Sequence, residues 1–191
     1  MTAVSKNNAK RVTAPVATER LVLRPFTSAD VEDRYAYQRL PEVARHLYRP
    51  PLTREGCAES IAARAEGTDW RTDGDTLLLA VCRAGNPVSS ARWSSRSPAR
   101  TRGRRRSAGC STPPRGRGYA TEAAGALLSL AFGQLDAHRV FARLDVLNTA
   151  SARVCERLGM RREAHLVEND LDGDRWGSEY VYAMLAREWK G

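Results

Sequence analysis

The chain has 191 residues, 28% of them charged, which is one domain's worth of sequence and enough for a sizeable hydrophobic core. No apolar run approaches membrane-spanning length, and the N-terminus lacks the apolar core of a signal peptide, so a cytoplasmic protein without membrane contact is expected. Cys57, Cys82, Cys110 and Cys155 are scattered without a C-x-x-C pair, and His46, His138 and His165 stand isolated, which argues against a zinc site, a disulfide framework and any bound metal.

The formal net charge of +9 points to an anionic partner, but its distribution narrows that reading. Residues 89–117 hold nine arginines and no acid; set aside, they leave 22 basic residues against 22 acidic ones. The excess is one local run.

In chain order, residues 1–17 are polar and aperiodic, and read as a disordered tail before a single domain over 18–191. Alternation predicts a first strand over Arg20–Pro25. Ser28 is expected to cap a helix running to about Arg39, with a short helical turn over Pro41–Leu47 behind it. Thr53 opens a further helix to about Ala65, with Cys57, Ile61 and Ala65 on one side. A turn at 73–75 precedes a buried strand over Thr76–Cys82, and 84–87 turn the chain again.

Residues 89–114 show no alternation and few β-branched residues, and Pro98, Pro113 and Pro114 interrupt them, so the stretch is expected to be irregular. A glycine-rich turn, Arg115-Gly116-Arg117-Gly118, then runs into a helix over about Tyr119–Leu135. Ala124, Leu127, Leu128, Ala131, Phe132 and Leu135 give that helix an apolar face. Glycines in such a turn permit positive φ and close backbone approach, and the helix start offers open N–H groups and a positive dipole end, which together suit phosphate oxygens.

Arg139–Val146 alternates as a strand, with Val140, Ala142, Leu144 and Val146 on one side and Phe141, Arg143 and Asp145 on the other. Asn148 and Ser151 precede a helix over Ser151–Leu158 that stops at Gly159. Arg161–Leu171 and Tyr180–Leu185 complete a hairpin around the turn at 172–174. The order of elements is that of an α/β fold with a mixed sheet.

Two motifs carry a resemblance. Arg115-x-x-Gly118-x-Ala120 resembles the acyl-CoA pyrophosphate loop Q/R-x-x-G-x-G/A of the GNAT acetyltransferases, and Asn148-x-x-Ser151 followed by Leu158-Gly159-Met160 resembles that superfamily's second signature. The likeness runs from about Thr18 to Trp189 and is nearest to the branch that acetylates the N-terminal alanine of ribosomal proteins, the RimJ/RimL-like enzymes. It implies the GNAT fold, a mixed but mostly antiparallel central sheet flanked by helices. It implies acetyl transfer from acetyl-CoA to a primary amine by direct attack on the thioester, the amine being a protein N-terminus or a small molecule.

By the same resemblance, Arg115, Gly116, Arg117, Gly118, Tyr119, Ala120 and Thr121 would cradle the CoA pyrophosphate. Asn148 would bond the pantetheine or an ordered water, and Ser151 would protonate the leaving thiolate. Both are also preferred cap residues, and the two roles can coexist. Cys155, without a neighbouring histidine in its helix, is read as packing. Trp176, Glu179 and Tyr180 line either an acceptor pocket or the hairpin core, and Glu168 and Asp170 are read as solvated acids. A monomer and a homodimer are equally compatible with the chain.

The arginine run admits two other readings. It is either a salt-sensitive nucleic-acid contact, with only Trp93 to stack on bases, or a segment translated one base out of frame. Read one base back, with favourable codons chosen (mostly G/C third positions, and an AGC codon for Ser94), the segment from Ser89 onward can be written VLGEVELTVTRPDQRQAEIGWVLHP. That string has two alternating strands and leads into the glycine loop, where the family pattern resumes; in it a glutamate codon straddles Arg105 and Arg106.

Overall fold

The computed structural model describes residues 10–11, 15–47, 49–63, 69–70, 76–83, 86–95, 105–111, 117–172 and 174–191. In chain order these form β1 (Lys10–Arg11), β2 (Val16–Ala17), β3 (Leu21–Pro25), α1 (Val31–Gln38), α2 (Pro41–Ala44), α3 (Arg54–Ala62), β4 (Asp69–Trp70), β5 (Thr76–Arg83) and β6 (Asn86–Ser95). Then come β7 (Arg105–Ser111), α4 (Tyr119–Ser129), β8 (Arg139–Asp145), α5 (Thr149–Arg157), β9 (Arg161–Asp172) and β10 (Arg175–Leu185). One sheet runs in the order β2-β3-β5-β6-β7-β8-β10-β9, and the β7–β8 pair is its parallel one; β1 and β4 pair separately.

Alternation decides which face each strand buries. Leu21 and Leu23 of β3, Leu79 and Val81 of β5, and Val140, Ala142 and Leu144 of β8 enter one core with Leu127, Leu128 and Ala131. Past Ser129 the helix widens into a π turn over Leu130–Gln134, closed by Leu135 N–H donating to the Leu130 carbonyl at 3.0 Å, and Leu135 is fully buried. A smaller cluster of Phe26, Ile61 and Ala80 lies under α1 and α3.

Four expectations are corrected. Val16 and Ala17, placed in the tail, pair with Leu23 and Val22 and extend the sheet, because β3 offers them an open edge. The 89–114 stretch, expected to be irregular, contributes β6 up to Ser95 and β7 over Arg105–Ser111. Pairing overrides its poor local pattern: β6 bonds β5 and β7, and β7 bonds β6 and β8. Residues 96–104 and 112–116 lie outside the described residues, as do Ala65, the turn at 73–75 and Gly173. The helix leading into α1 is capped by Thr27 rather than Ser28, because the Asp30 carboxylate accepts from the Thr27 N–H at 2.7 Å and from its hydroxyl at 2.9 Å. Trp176, weighed for the hairpin core, is 60% exposed.

Asp30 also receives both arms of the Arg24 guanidinium, at 2.8 and 2.6 Å. That bidentate contact holds the Asp30 carboxyl at about 2, down from 3.8, against the opposing effect of burial. A depressed carboxylate stabilises the fold fully above its unfolded pKa and loses that contribution as pH falls through the folded one. Stability should therefore drop by about 2 kcal/mol between pH 4 and 2 through this group alone. Urea melts across that range should show the drop, and the Asp30→Asn variant should lack that part of it.

Candidate functional site

The β7–β8 ladder is short. Arg105 faces Arg139, Arg106 faces Val140 and Ser107 faces Phe141; there the pairing stops, although β7 continues to Ser111 and β8 to Asp145. Along its other edge β8 stays paired with β10 from Arg139–Leu185 to Asp145–Glu179, and β7 stays paired with β6 as far as Ser111–Ser90. Beyond Ser107–Phe141 the two parallel strands run on without pairing to each other, each held only by its outer neighbour.

The start of α4 belongs to this region, since α4 connects the two parting strands. Gly118 is its N-cap at φ 76°, a left-handed conformation that glycine adopts without a Cβ clash. Among the described residues no side chain caps the helix, so the first-turn N–H groups depend on other partners. The loop is clamped from below. Glu122 in the first turn accepts from the Thr18 hydroxyl at 2.5 Å, from the Arg20 N–H at 2.9 Å and from Arg20 Nε at 2.7 Å.

Arg20 Nη1 donates to the Arg117 carbonyl at 2.9 Å, and its guanidinium lies 4.9 Å from the Tyr119 ring centroid. Burial disfavours the Glu122 charge, but the bonds from Thr18 and Arg20 outweigh it and hold the carboxyl below its ordinary value. Of the residues assigned to the pyrophosphate loop, Arg117 to Thr121 are thus brought together, while Arg115 and Gly116 lie outside the described residues.

At the far end of β8, Asn148 is the N-cap of α5; its Oδ1 accepts from the Ser151 N–H at 3.1 Å. The two suspected cap residues thus separate: Asn148 caps with its side chain, whereas Ser151 is capped through its backbone. Among the described residues no hydrogen bond engages the Ser151 hydroxyl. Cys155 is buried and its thiol is pushed up to about 11 by desolvation, which suits a packing residue.

In the sequence, Arg143 and Asp145 stand out only as members, with Phe141, of one side of the β8 strand. There Asp145 is buried, its Oδ1 accepts from the Leu147 N–H at 2.6 Å, and its Oδ2 lies 3.5 Å from His46 Nδ1. Directly across the ladder is Glu179, also buried, which accepts from Arg143 and, at 2.7 Å, from Asn169 Nδ2. Tyr180, also weighed for the pocket, packs on the main core, and Glu168 is exposed. Neither Arg20 nor His46 was picked out as a site residue; the visible signals were Thr18–Pro25 within the resemblance and the Arg143/Asp145 alternation.

Comparison with known proteins gives three findings. The family described as Acetyltransferase (GNAT) domain matches residues 20–161. The curated N-acetyltransferase YnaD of Bacillus subtilis, itself uncharacterized, is 41% identical over 73 residues, which span 38% of this chain and 43% of that relative's length. Among solved structures, an acetyltransferase (GNAT family) from Bacillus anthracis superposes with a TM-score of 0.77 at 26% identity, covering 92% of this chain and all of that one. The ribosomal-protein-S5-alanine acetyltransferase from Vibrio fischeri superposes with a TM-score of 0.74 at 17% identity, covering 94% and 100%, a likeness of fold alone.

Proposed function

Because the chain belongs to the acetyltransferase (GNAT) domain family, which uses acetyl-CoA as co-substrate, we propose that it transfers an acetyl group to a primary amine at the cleft between β7 and β8. One observation carries the reading: the parallel ladder parts at Ser107–Phe141 while the helix joining the two strands begins at an uncapped, left-handed glycine. The N–H groups after Gly118, with Arg117 beside them, suit the two charges of a pyrophosphate. The gap between the strands suits a pantetheine arm, which needs backbone partners along its length. Both fit the group that the family employs.

Acetyl-CoA supplies an activated thioester carbonyl, and this chain supplies position and proton handling. Much of the rate comes from holding amine and carbonyl in reacting geometry. Asn148 stabilises the turn that carries Ser151, and the Ser151 hydroxyl, free of structural bonds, protonates the departing sulfur. The acceptor we favour is the N-terminal amine of a protein, in keeping with the resemblance to the RimJ/RimL-like branch and the fold shared with the ribosomal-protein-S5-alanine enzyme. An N-terminal alanine peptide is the first substrate to try.

The Asn148/Ser151 division gives a test. Ser151→Ala should lower kcat by about 100-fold, within the range for a lost general acid, and leave the melting temperature unchanged. Asn148→Ala should cost about 1 kcal/mol of stability as a lost cap. Equal losses of stability and rate in Ser151→Ala would make that residue structural.

A further inference from the structure

We propose that Arg34 and Arg49 form a binding site for a small carboxylate anion between α1 and α3. Arg34 lies on α1 and is 7% exposed. Its Nη2 donates to the hydroxyl of Ser60 on α3 at 3.0 Å, and its guanidinium lies 5.1 Å from the Phe26 ring centroid. Its Nε and Nη1 are buried as well, and make no hydrogen bond among the described residues. A hydroxyl and an aromatic ring offer dipoles rather than charge, and a buried cation requires a counter-charge.

A second guanidinium comes to the same place. Gln38, one helical turn beyond Arg34 and also buried, accepts from Arg49 Nη2. Arg49 Nη1 donates to the Pro50 carbonyl at 3.0 Å. Burial first, and the Arg34 charge second, hold Arg49 below its ordinary pKa. The thiol of Cys57 on α3 feels both guanidiniums, yet burial pushes it up, so it stays protonated and supplies no negative charge.

The acids around the pair do not neutralise it. Asp30 is held by Arg24, and Glu32 by Arg54. Among the described residues no carboxylate pairs with Arg34 or Arg49. α1 also packs on β6, and no acid occurs anywhere in the sequence of that strand. One buried and one half-buried positive charge therefore draw their counter-charge from solution. Guanidinium N–H groups match carboxylate oxygens in geometry and charge. α1 packs directly on α3, so the anion must be small. Arg49 is half-buried, so the site meets solvent on its side.

The test titrates the full chain with acetate near neutral pH, reads the affinity from broadening of the acetate NMR line, and compares melting temperatures in acetate and in chloride at equal ionic strength. Acetate at about tenfold over its Kd should raise the melting temperature by about 3–6 °C more than chloride does. Acetamide, of the same shape without the charge, should give no such rise. Arg34→Met, which keeps a long apolar stem, and Arg49→Gln, which changes a half-buried side chain, should each remove the acetate-specific rise. If Arg34→Met does not fold, Arg49→Gln decides alone. An acetate line that the chain does not broaden, a rise that chloride or acetamide matches, or one that either folded variant retains overturns the proposal.

Discussion

Gly118→Val should remove acetyl-CoA binding. Gly118 sits at φ +76°, where a β-branched residue is strained by about 1–3 kcal/mol. Among the described residues the added Cβ would meet Arg20 Nη2, at 3.5 Å, an ordinary contact, so the fold should survive. The damage falls on the ligand. Either the loop shifts out of the left-handed conformation and turns the first-turn N–H groups away, or the side chain occupies the space of the phosphate oxygens. Losing two hydrogen bonds to charged oxygens costs about 3–6 kcal/mol, a drop in affinity of about 100-fold or more. Calorimetry should show this beside Gly133→Ala, a position with open space around it, which should bind as the parent does. Parent-like affinity in Gly118→Val would separate the glycine loop from acetyl-CoA.

The second large effect concerns the arginine run, and a buried cation gives it structural content. Arg34 on α1 is 7% exposed, lies 5.1 Å from the Phe26 ring centroid and donates Nη2 to the Ser60 hydroxyl at 3.0 Å. Its Nε and Nη1 have no partner among the described residues. Phe26 packs with Ala80 of β5, and the ladder pairs Ala80 with position 90, position 78 with 92 and position 76 with 94. The ladder thus brings the backbone at positions 90, 92 and 94 beside the strand that carries Ala80.

As written, 89–117 contain no acid at all. Read one base back, positions 92 and 94 both become glutamate when Arg92 and Ser94 are encoded by AG- codons that follow a G. An unpaired buried charge costs about 3–5 kcal/mol relative to a paired one. Restoring the frame over 89–114 should therefore raise the melting temperature by roughly 6–15 °C. Arg34→Met should abolish most of that gain in the restored chain. Turnover should rise as well, because the glutamate codon that straddles Arg105 and Arg106 returns a carboxylate to β7. A restored chain no more stable than the present one, or a gain indifferent to Arg34, would remove the frame reading and return the arginines to a role of their own.

What could be read in the sequence follows from how local each determinant is. α4 carries its own apolar spacing, and Asn148 carries its own capping chemistry, so both were legible before any tertiary contact was known. β6 and β7 were not, because their strand conformation is imposed by β5 and β8 on either side rather than by their own composition. The clamp beneath the glycine loop joins Arg20 to Glu122, 102 positions apart, and no periodicity connects them. The same holds for His46 and Asp145. A histidine in a short helical turn has no pattern to announce its neighbour, and the two meet only when the end of β8 is folded against that turn.

The central claim is acetyl transfer at the β7–β8 cleft. Mass spectrometry of an alanine-starting peptide incubated with the chain and saturating acetyl-CoA tests it most directly. The account predicts one added acetyl group on the peptide's N-terminal amine, formed with an equal quantity of free thiol, and formation of both about 100-fold slower in Ser151→Ala. Bound acetyl-CoA with no acetylated product from any primary amine, in the chain as written and in its frame-restored form alike, would contradict it.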